Sequence, residues 1–189
     1  MRNQWQVSST FMTNTPVAVK VENWHNTAMT ERFTELISSL ELAPHPEGGH
    51  YREVYRSGQT VSSPVNGEPR SAVTDIYFLL TAGEVSRFHR VLHDEIWNFY
   101  EGTPLELIQF DPKTGSLETI ILGPGDDRPR YKHCIAGGAW QAARSTGTYT
   151  LMGCTVAPGF DFADFSFLDD EAEVSAAILE LDPEMKVFI

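Results

Sequence analysis

The sequence predicts an all-β fold, a jelly-roll barrel with a pocket inside it. From residue 51 onward, short segments of strand character recur at intervals of about 8–12 residues, with turn-forming residues between them. Residues 72–80 form an almost unbroken apolar run that Gly83 closes, as expected for a buried strand. A jelly-roll barrel hides the edges of its sheets and leaves an internal cavity.

Nine strands and one long loop are expected between residues 51 and 156. The first strand starts at Tyr51, and residues 57–70 predict a loop of the kind that forms the rim of a site, because they contain glycines and prolines. The sequence DPKTG at residues 111–115 predicts a hairpin turn. The strands after 72–80 are expected at about 84–91, 95–101, 104–110, 117–122, 130–135, 139–145 and 148–156.

The remaining segments flank these strands. Residues 1–27 are polar and predict a tail, although residues 17–21 alternate as in an edge strand. Residues 28–189 are expected to form a single domain with its core at about 45–168, because 189 residues suit one domain.

Two short helices and an aromatic segment complete the prediction. Apolar residues at helical spacing predict a helix over about 30–41, and a second helix is expected from residue 169 or 170 to the Asp-Pro pair at 182–183. Four phenylalanines occur within residues 160–167. We expect these rings to pack on the exterior of the barrel or at a dimer contact.

Charge and composition exclude several classes of protein. A formal net charge of −12 argues against binding to nucleic acid or to an anionic membrane surface, since both need basic residues. No apolar run approaches the roughly 18 residues of a membrane span, and no secretory signal is evident, so we expect a cytoplasmic protein. Cys134 and Cys154 are too few for a disulfide scaffold and are expected to be reduced.

The strongest chemical signal lies between Gly83 and Gly102, and it resembles the first motif of the cupin superfamily. That motif has a glycine, a His-x-His pair, a glutamate and a closing glycine. Here His89 and Glu95 occupy the positions of the first histidine and the glutamate, whereas Val91 stands where the second histidine belongs. His93 is displaced by two residues from that position.

Residues 136–141 resemble the second cupin motif, with Gln141 in place of its histidine. Side chains alternate between the two faces of a strand, so if Glu95 points into the barrel, Trp97 and Phe99 do too. The expected inward set is therefore Glu95, His89, Gln141, Trp97 and Phe99. A few polar groups against aromatic walls are typical of a small-molecule pocket.

Three stretches make the resemblance more specific. They are residues 45–53 (HPEGGHYRE), residues 86–100 and residues 140–160, and together they are similar to the cupin-5 group, domain of unknown function 985. The resemblance implies a jelly-roll cupin, usually a homodimer, similar in shape to dTDP-sugar epimerases and plant storage proteins. It implies no known reaction.

The strand after the glycine pair also bears on the pocket. We favour Tyr51 and Glu53 as residues that line it, and we keep His93 as a further ligand-binding candidate. Ser86 lies an odd number of residues before His89, so strict alternation puts the two on opposite faces unless a bulge intervenes.

Four functions stay open on the sequence alone. The first is an isomerase, an epimerase or a related lyase that acts on a carbohydrate-like or other small polar metabolite, with Glu95 and His89 in proton transfer and Trp97 stacking on the ligand. The second is a cupin that binds a small molecule without catalysis. The third is a metal-dependent cupin, in which His89, Glu95 and Gln141 would be the ligands. Because glutamine is a poor ligand for transition metals, we expect no cofactor. The fourth is a purely structural or interaction protein.

Overall fold

The strands of the chain pair into two large antiparallel sheets and one small hairpin. The computed structural model describes residues 22–125 and 128–189. In chain order the strands are β1 (Ala43–Pro44), β2 (His50–Arg56), β3 (Thr60–Ser62), β4 (Pro69–Ser71), β5 (Thr74–Thr81), β6 (Val85–Val91), β7 (Asp94–Gly102), β8 (Leu105–Asp111), β9 (Ser116–Leu122), β10 (Lys132–Ile135), β11 (Trp140–Ser145), β12 (Tyr149–Ala157) and β13 (Phe165–Phe167).

The two large sheets form the walls of the barrel. The larger sheet has the order β1-β2-β5-β12-β7-β10, and the smaller one has the order β13-β6-β11-β8-β9. Strands β3 and β4 pair only with each other, within the segment that was expected to be a loop. The predicted all-β jelly roll is confirmed, and the strands from β5 to β12 begin and end within two residues of the expected positions.

Helices lie at both ends of the described chain. The first, α1 (Glu22–Ser39), begins several residues before the expected start near residue 30, and the second, α2 (Ala172–Leu181), ends at Asp182 as expected. Three 3-10 helices cover Phe162–Asp164, Leu168–Asp170 and Pro183–Phe188. The alternating segment 17–21, expected as an edge strand within the tail, lies outside the described residues. Among the described residues, no helix combines the length and apolar character that crossing a membrane requires.

Apolar side chains fill only one half of the barrel interior. Phe78, Trp97, Leu107 and Met152 belong to this core, and each is at most 1% exposed. Residues nearer one end of β5 and one end of β12 instead face an open space. The barrel therefore consists of a packed half, which stabilises the fold, and a hollow half, which can hold a ligand.

Two further clusters cover the outer faces of the sheets. Helix α2 and the last 3-10 helix bury Ile178 and Phe188 against Phe88 and Trp140 of the smaller sheet. Helix α1 buries Leu36 against the larger sheet. Cys134 is exposed, Cys154 is buried, and both are free.

Candidate functional site

The hollow half of the barrel is a cavity of about 300 Å³. Its walls come from strands β2, β5, β6, β7 and β12, from the turn before β2 and from the segment before β13. The residues that line it are His45, Glu47, Tyr51, Glu53, Arg56, Thr74, Ile76, Phe78, His89, Val91, Glu95, Cys154, Val156, Phe160, Phe162 and Phe165.

The turn between β1 and β2 carries Glu47 into this cavity. Gly48 has a φ of +112°, and a Cβ atom there would collide with the carbonyl oxygen of Val85, so only glycine lets the turn lie this close to β6. The amide of Arg87 donates a hydrogen bond of 2.9 Å to the carbonyl oxygen of Glu47. The glycine pair in the HPEGGHYRE stretch therefore positions a carboxyl group that is 6% exposed.

A bulge in β6 brings Ser86 to the same side as His89. Gln141 pairs with His89 and Ala143 with Ser86, so two residues of β6 stand opposite the single Ala142 of β11. The Ser86 hydroxyl donates a hydrogen bond of 2.9 Å to Oε1 of Glu47. Of the two arrangements left open by the sequence, the structure has the bulge.

Gln141 connects the buried polar groups, and Trp97 determines which way its amide points. The indole N–H of Trp97 donates to Oε1 of Gln141 over 3.0 Å. Since an indole can only donate, Nε2 of Gln141 must be the end that faces His89, at 3.0 Å from its Nε2 atom, and Glu95. The amide therefore donates one hydrogen bond to the imidazole and another to the carboxyl group of Glu95.

This network keeps the imidazole of His89 neutral. Its Nδ1 atom lies 2.8 Å from the carbonyl oxygen of Arg87 and must donate, while Nε2 accepts from Gln141. Burial lowers the pKa of His89 below its ordinary value, although the charge of Glu95 works in the opposite direction. His45 is similar, because burial lowers its pKa and its Nδ1 atom accepts the backbone N–H of Glu47.

Burial raises the pKa of the two buried carboxyl groups in the cavity, those of Glu47 and Glu95, whereas it lowers the pKa of the two imidazoles. Burial raises the pKa of Glu47, against the influence of His45 and of the hydroxyl of Ser86. Burial also raises the pKa of Glu95, which is 7% exposed, against the influence of His89 and of the amide of Gln141. Oε2 of Glu47 lies 3.3 Å from Nε2 of His89, so the imidazole is next to one carboxyl group and linked through Gln141 to the other.

The aromatic segment near residue 160 closes one side of the cavity. The expectation that its rings pack on the exterior is wrong, because Phe160, Phe162 and Phe165 line the cavity. Phe165 stacks on the ring of His89, with ring centroids 5.4 Å apart and planes inclined by 19°. Pairing of β13 with β6 places this ring there, since Phe167 is opposite His89 and Phe165 opposite Val91.

A separate polar cluster holds this aromatic segment in place. Arg70 of β4 donates two hydrogen bonds, both of 2.7 Å, to the carboxylate of Asp164. His93, expected as a ligand-binding residue, belongs to this cluster and does not line the cavity. Its Nε2 atom is 2.8 Å from Oγ of Ser63, and its Nδ1 atom is 3.6 Å from Oδ2 of Asp164.

The other expected ligand-binding residues differ in where they lie. Tyr51 and Glu53 line the cavity. Trp97 and Phe99 are not among the lining residues, and they lie in or against the apolar core. Gln141 is 1% exposed and acts behind the wall, through its contacts with His89 and Glu95.

The residues present do not fit the metal ion that many cupins hold. Val91 offers no ligand atom, and Gln141 directs N–H groups at the two atoms that would bind a metal, Nε2 of His89 and Oε2 of Glu95. Among residues 22–125 and 128–189, no group of three or more His, Cys, Asp or Glu side chains could hold a metal ion.

A two-sheet jelly roll with a polar site inside its open half defines a cupin. The sequence pattern of Cupin_5, described as "Cupin superfamily (DUF985)", matches residues 34–168, and the chain therefore belongs to that family. Oxalate decarboxylase from Bacillus subtilis shares the fold, with a TM-score of 0.51 and 18% identity over 77% of this chain and 37% of that chain.

Two proteins are much more similar in sequence. The crystal structure of protein SO0799 from Shewanella oneidensis has a TM-score of 0.71 and 34% identity, and the match covers 82% of this chain and 94% of that one. The uncharacterized protein YML079W of Saccharomyces cerevisiae is 28% identical over 156 residues, which are 74% of this chain and 77% of the yeast protein.

Proposed function

We propose that this cupin binds a small polar metabolite, such as a carbohydrate, and moves a proton on it, as an isomerase or an epimerase does. One observation carries the proposal. Two buried carboxyl groups lie close to Nε2 of the neutral imidazole of His89 in one cavity: Glu47 at 3.3 Å, and Glu95 through the amide of Gln141.

The chemistry needs one group that removes a proton next to a carbonyl and one that returns it. Burial raises the pKa of Glu47 and of Glu95, which brings each carboxyl group closer to the neutral pH at which proton transfer is most effective. One carboxyl group in its ionised form can accept the proton, and the other in its protonated form can supply one. Perturbed carboxyl groups in a cleft are a frequent mark of a catalytic site.

His89 has a supporting role in this scheme. Its two nitrogen atoms are already committed to Arg87 and Gln141, so a further proton would disrupt the contact with Gln141. We propose that His89 holds the amide of Gln141 on Glu95, and that Glu47, a residue of the turn before β2 whose carboxyl group accepts from Ser86, joins Glu95 as the second acid-base group.

The test is proton exchange with a bound metabolite. Metabolites that raise the melting temperature of the protein would be incubated with it in D₂O, and NMR would follow exchange of their C–H protons. We expect exchange with the unaltered protein, with Glu180→Gln as an exposed control on α2, and strong loss of exchange in Glu95→Gln and Glu47→Gln. If ligands bind but none exchanges a proton, the protein is a ligand-binding cupin without catalysis.

We also propose that the chain forms a homodimer. Val54, Ile96 and Tyr100 are 42%, 40% and 47% exposed, and Val54 and Tyr100 line one open groove on the outer face of the larger sheet. Exposed apolar patches of this kind are frequent at protein interfaces. Light scattering should give twice the mass of the chain, and Tyr100→Lys should lower that mass, whereas Val187→Lys near the C-terminus should not.

A further inference from the structure

We infer that the cavity takes a ligand that carries a protonated amino group. This inference rests on the proposed function, because it specifies the charge of the ligand that binds at the same site.

Neither imidazole in the cavity can readily become a cation. Nε2 of His89 accepts an N–H from Gln141, whose amide cannot turn round while Trp97 donates to its oxygen. Nδ1 of His45 accepts the backbone N–H of Glu47 at 3.3 Å. A proton added to either nitrogen would face an N–H group, so an anionic ligand finds no imidazolium there.

The permanent positive charge near the cavity is already neutralised. Of the described residues that line the cavity, only Arg56 is an arginine or a lysine. Its guanidinium donates to both carboxylate oxygens of Glu53, at 2.9 and 2.7 Å, and to the carbonyl oxygen of Phe160. A carboxylate or phosphate ligand would have to share this guanidinium with Glu53, whose negative charge opposes an anion there.

Negative charge, in contrast, is available to a ligand. Glu47 and Glu95 face the cavity and have hydrogen-bond donors around them, but no cationic side chain among the described residues pairs with either. A buried carboxylate is strongly destabilised unless a cation accompanies it. An ammonium group in the cavity would supply that cation, and one glutamate would give up its proton as the ligand binds.

The aromatic segment adds a second, independent contact for a cation. Phe160, Phe162 and Phe165 form a cluster with ring centroids 5.0 to 6.3 Å apart, and all three line the cavity. Faces of aromatic rings attract cations within about 6 Å of the ring centroid. Carboxyl groups and aromatic rings in one cavity both attract the ammonium group of a small amine.

The experiment compares probes that differ only in charge. Titrations of the full chain near neutral pH, followed by NMR, would use two matched series: glucosamine, glucose and glucuronate, and benzylamine, benzyl alcohol and benzoate. In at least one series we expect the amine to bind about tenfold or more tightly than its neutral partner, with the anion weakest. Calorimetry in buffers of different ionisation enthalpy should show that binding of the amine releases a proton from the protein to the buffer.

Variants test whether the two glutamates cause the preference for the amine. Glu47→Gln and Glu95→Gln should each reduce the preference for the amine, and Glu180→Gln should keep it. Proton release by the unaltered protein keeps the inference testable if the variants fail to fold. The inference is overturned if neither amine binds, or if neutral or anionic probes bind as tightly as the amines in both series. Because binding is measured without turnover, that result would leave the proton-exchange proposal to its own test.

Discussion

The indole nitrogen of Trp97 lies 3.0 Å from Oε1 of Gln141, and this hydrogen bond determines which end of the amide faces the buried polar groups. It turns the amide nitrogen of Gln141 toward His89 and Glu95. A residue of the apolar core thereby determines that His89 and Glu95 each accept a hydrogen bond from Gln141.

Trp97→Phe should release this control. We expect ¹⁵N NMR of the unaltered protein to show His89 as the neutral tautomer with its proton on Nδ1, and the variant to show a higher pKa of His89, because a turned amide presents Oε1 to Nε2 while Nδ1 still donates to Arg87. The loss of volume and of a buried hydrogen bond should also lower the free energy of unfolding by about 2–4 kcal/mol.

Trp140→Phe is the matched control, because Trp140 is equally buried but lies in the cluster outside the smaller sheet. It should destabilise the fold and leave the pKa of His89 unchanged. A raised pKa of His89 in Trp140→Phe, or an unchanged one in Trp97→Phe, would contradict the role assigned to Trp97.

Glu95→Gln should change how stability depends on pH. The folded state raises the pKa of Glu95, so it keeps a proton that the unfolded chain releases above its ordinary value of about 4.5. This glutamate therefore makes the folded state less stable as pH rises from that value toward its pKa in the folded protein. Glutamine cannot ionise, so the variant should gain stability relative to the unaltered protein over this window.

Denaturant unfolding at a series of pH values measures that difference. Glu180→Gln, on the exposed face of α2, provides the baseline, and its difference from the unaltered protein should stay nearly constant. Parallel stability curves for Glu95→Gln and the unaltered protein would show that Glu95 does not bind its proton more tightly in the folded state.

Gly48→Ala should damage both the fold and the cavity. Its φ of +112° is unfavourable for alanine, and the added Cβ atom would meet the carbonyl oxygen of Val85. We expect a loss of about 3 kcal/mol in the free energy of unfolding, since left-handed backbone and overpacking each cost about 1–3 kcal/mol. Gly58→Ala has no neighbour within 4 Å of the new atom and should change stability by less than about 1 kcal/mol.

Arg70→Gln should loosen the aromatic segment that lines the cavity. The variant removes both hydrogen bonds to Asp164, which immediately precedes Phe165. Hydrogen exchange at the amide of Leu92, which donates to the carbonyl oxygen of Asp164, should become about tenfold faster. Arg52→Gln removes an exposed ion pair of 2.9 Å with Glu41, away from the aromatic segment, and should leave that amide protected. Equal exchange in both variants would rule out Arg70 as the tether.

The sequence predicts the positions of most strands, because alternating residues and turn-forming residues within each segment determine where a strand begins and ends. The hairpin turn at residues 111–115 illustrates this, since Gly115 donates to the carbonyl oxygen of Asp111 just as the sequence DPKTG predicts. The sequence predicts a loop where β3 and β4 form a hairpin, because these two strands are short and their residues are mostly polar. The start of α1 was placed too late because the polar residues from Glu22 onward show no apolar period.

The site was only partly predictable. Alternation along a strand accounts for Glu95, which lines the cavity, but it also suggested Phe99, which packs against the core half of the barrel instead. Glu47 lies in a turn, where alternation carries no information. Its one signal was the glycine pair after it, which indicated a close backbone approach. The aromatic segment lines the cavity because β13 pairs with β6, a long-range contact that no local pattern reveals.

Because β6 contains one extra residue, the length of this strand determines whether Ser86 can reach Glu47. Deleting Phe88 would restore regular alternation and turn the hydroxyl of Ser86 to the outside of the barrel, away from Oε1 of Glu47. All of the side chains of the site would still be present, but Glu47 would lose the hydrogen bond that Ser86 donates to it. Among relatives of this chain, the number of residues between the positions of Ser86 and His89 is therefore as informative about an intact site as the identity of the two residues.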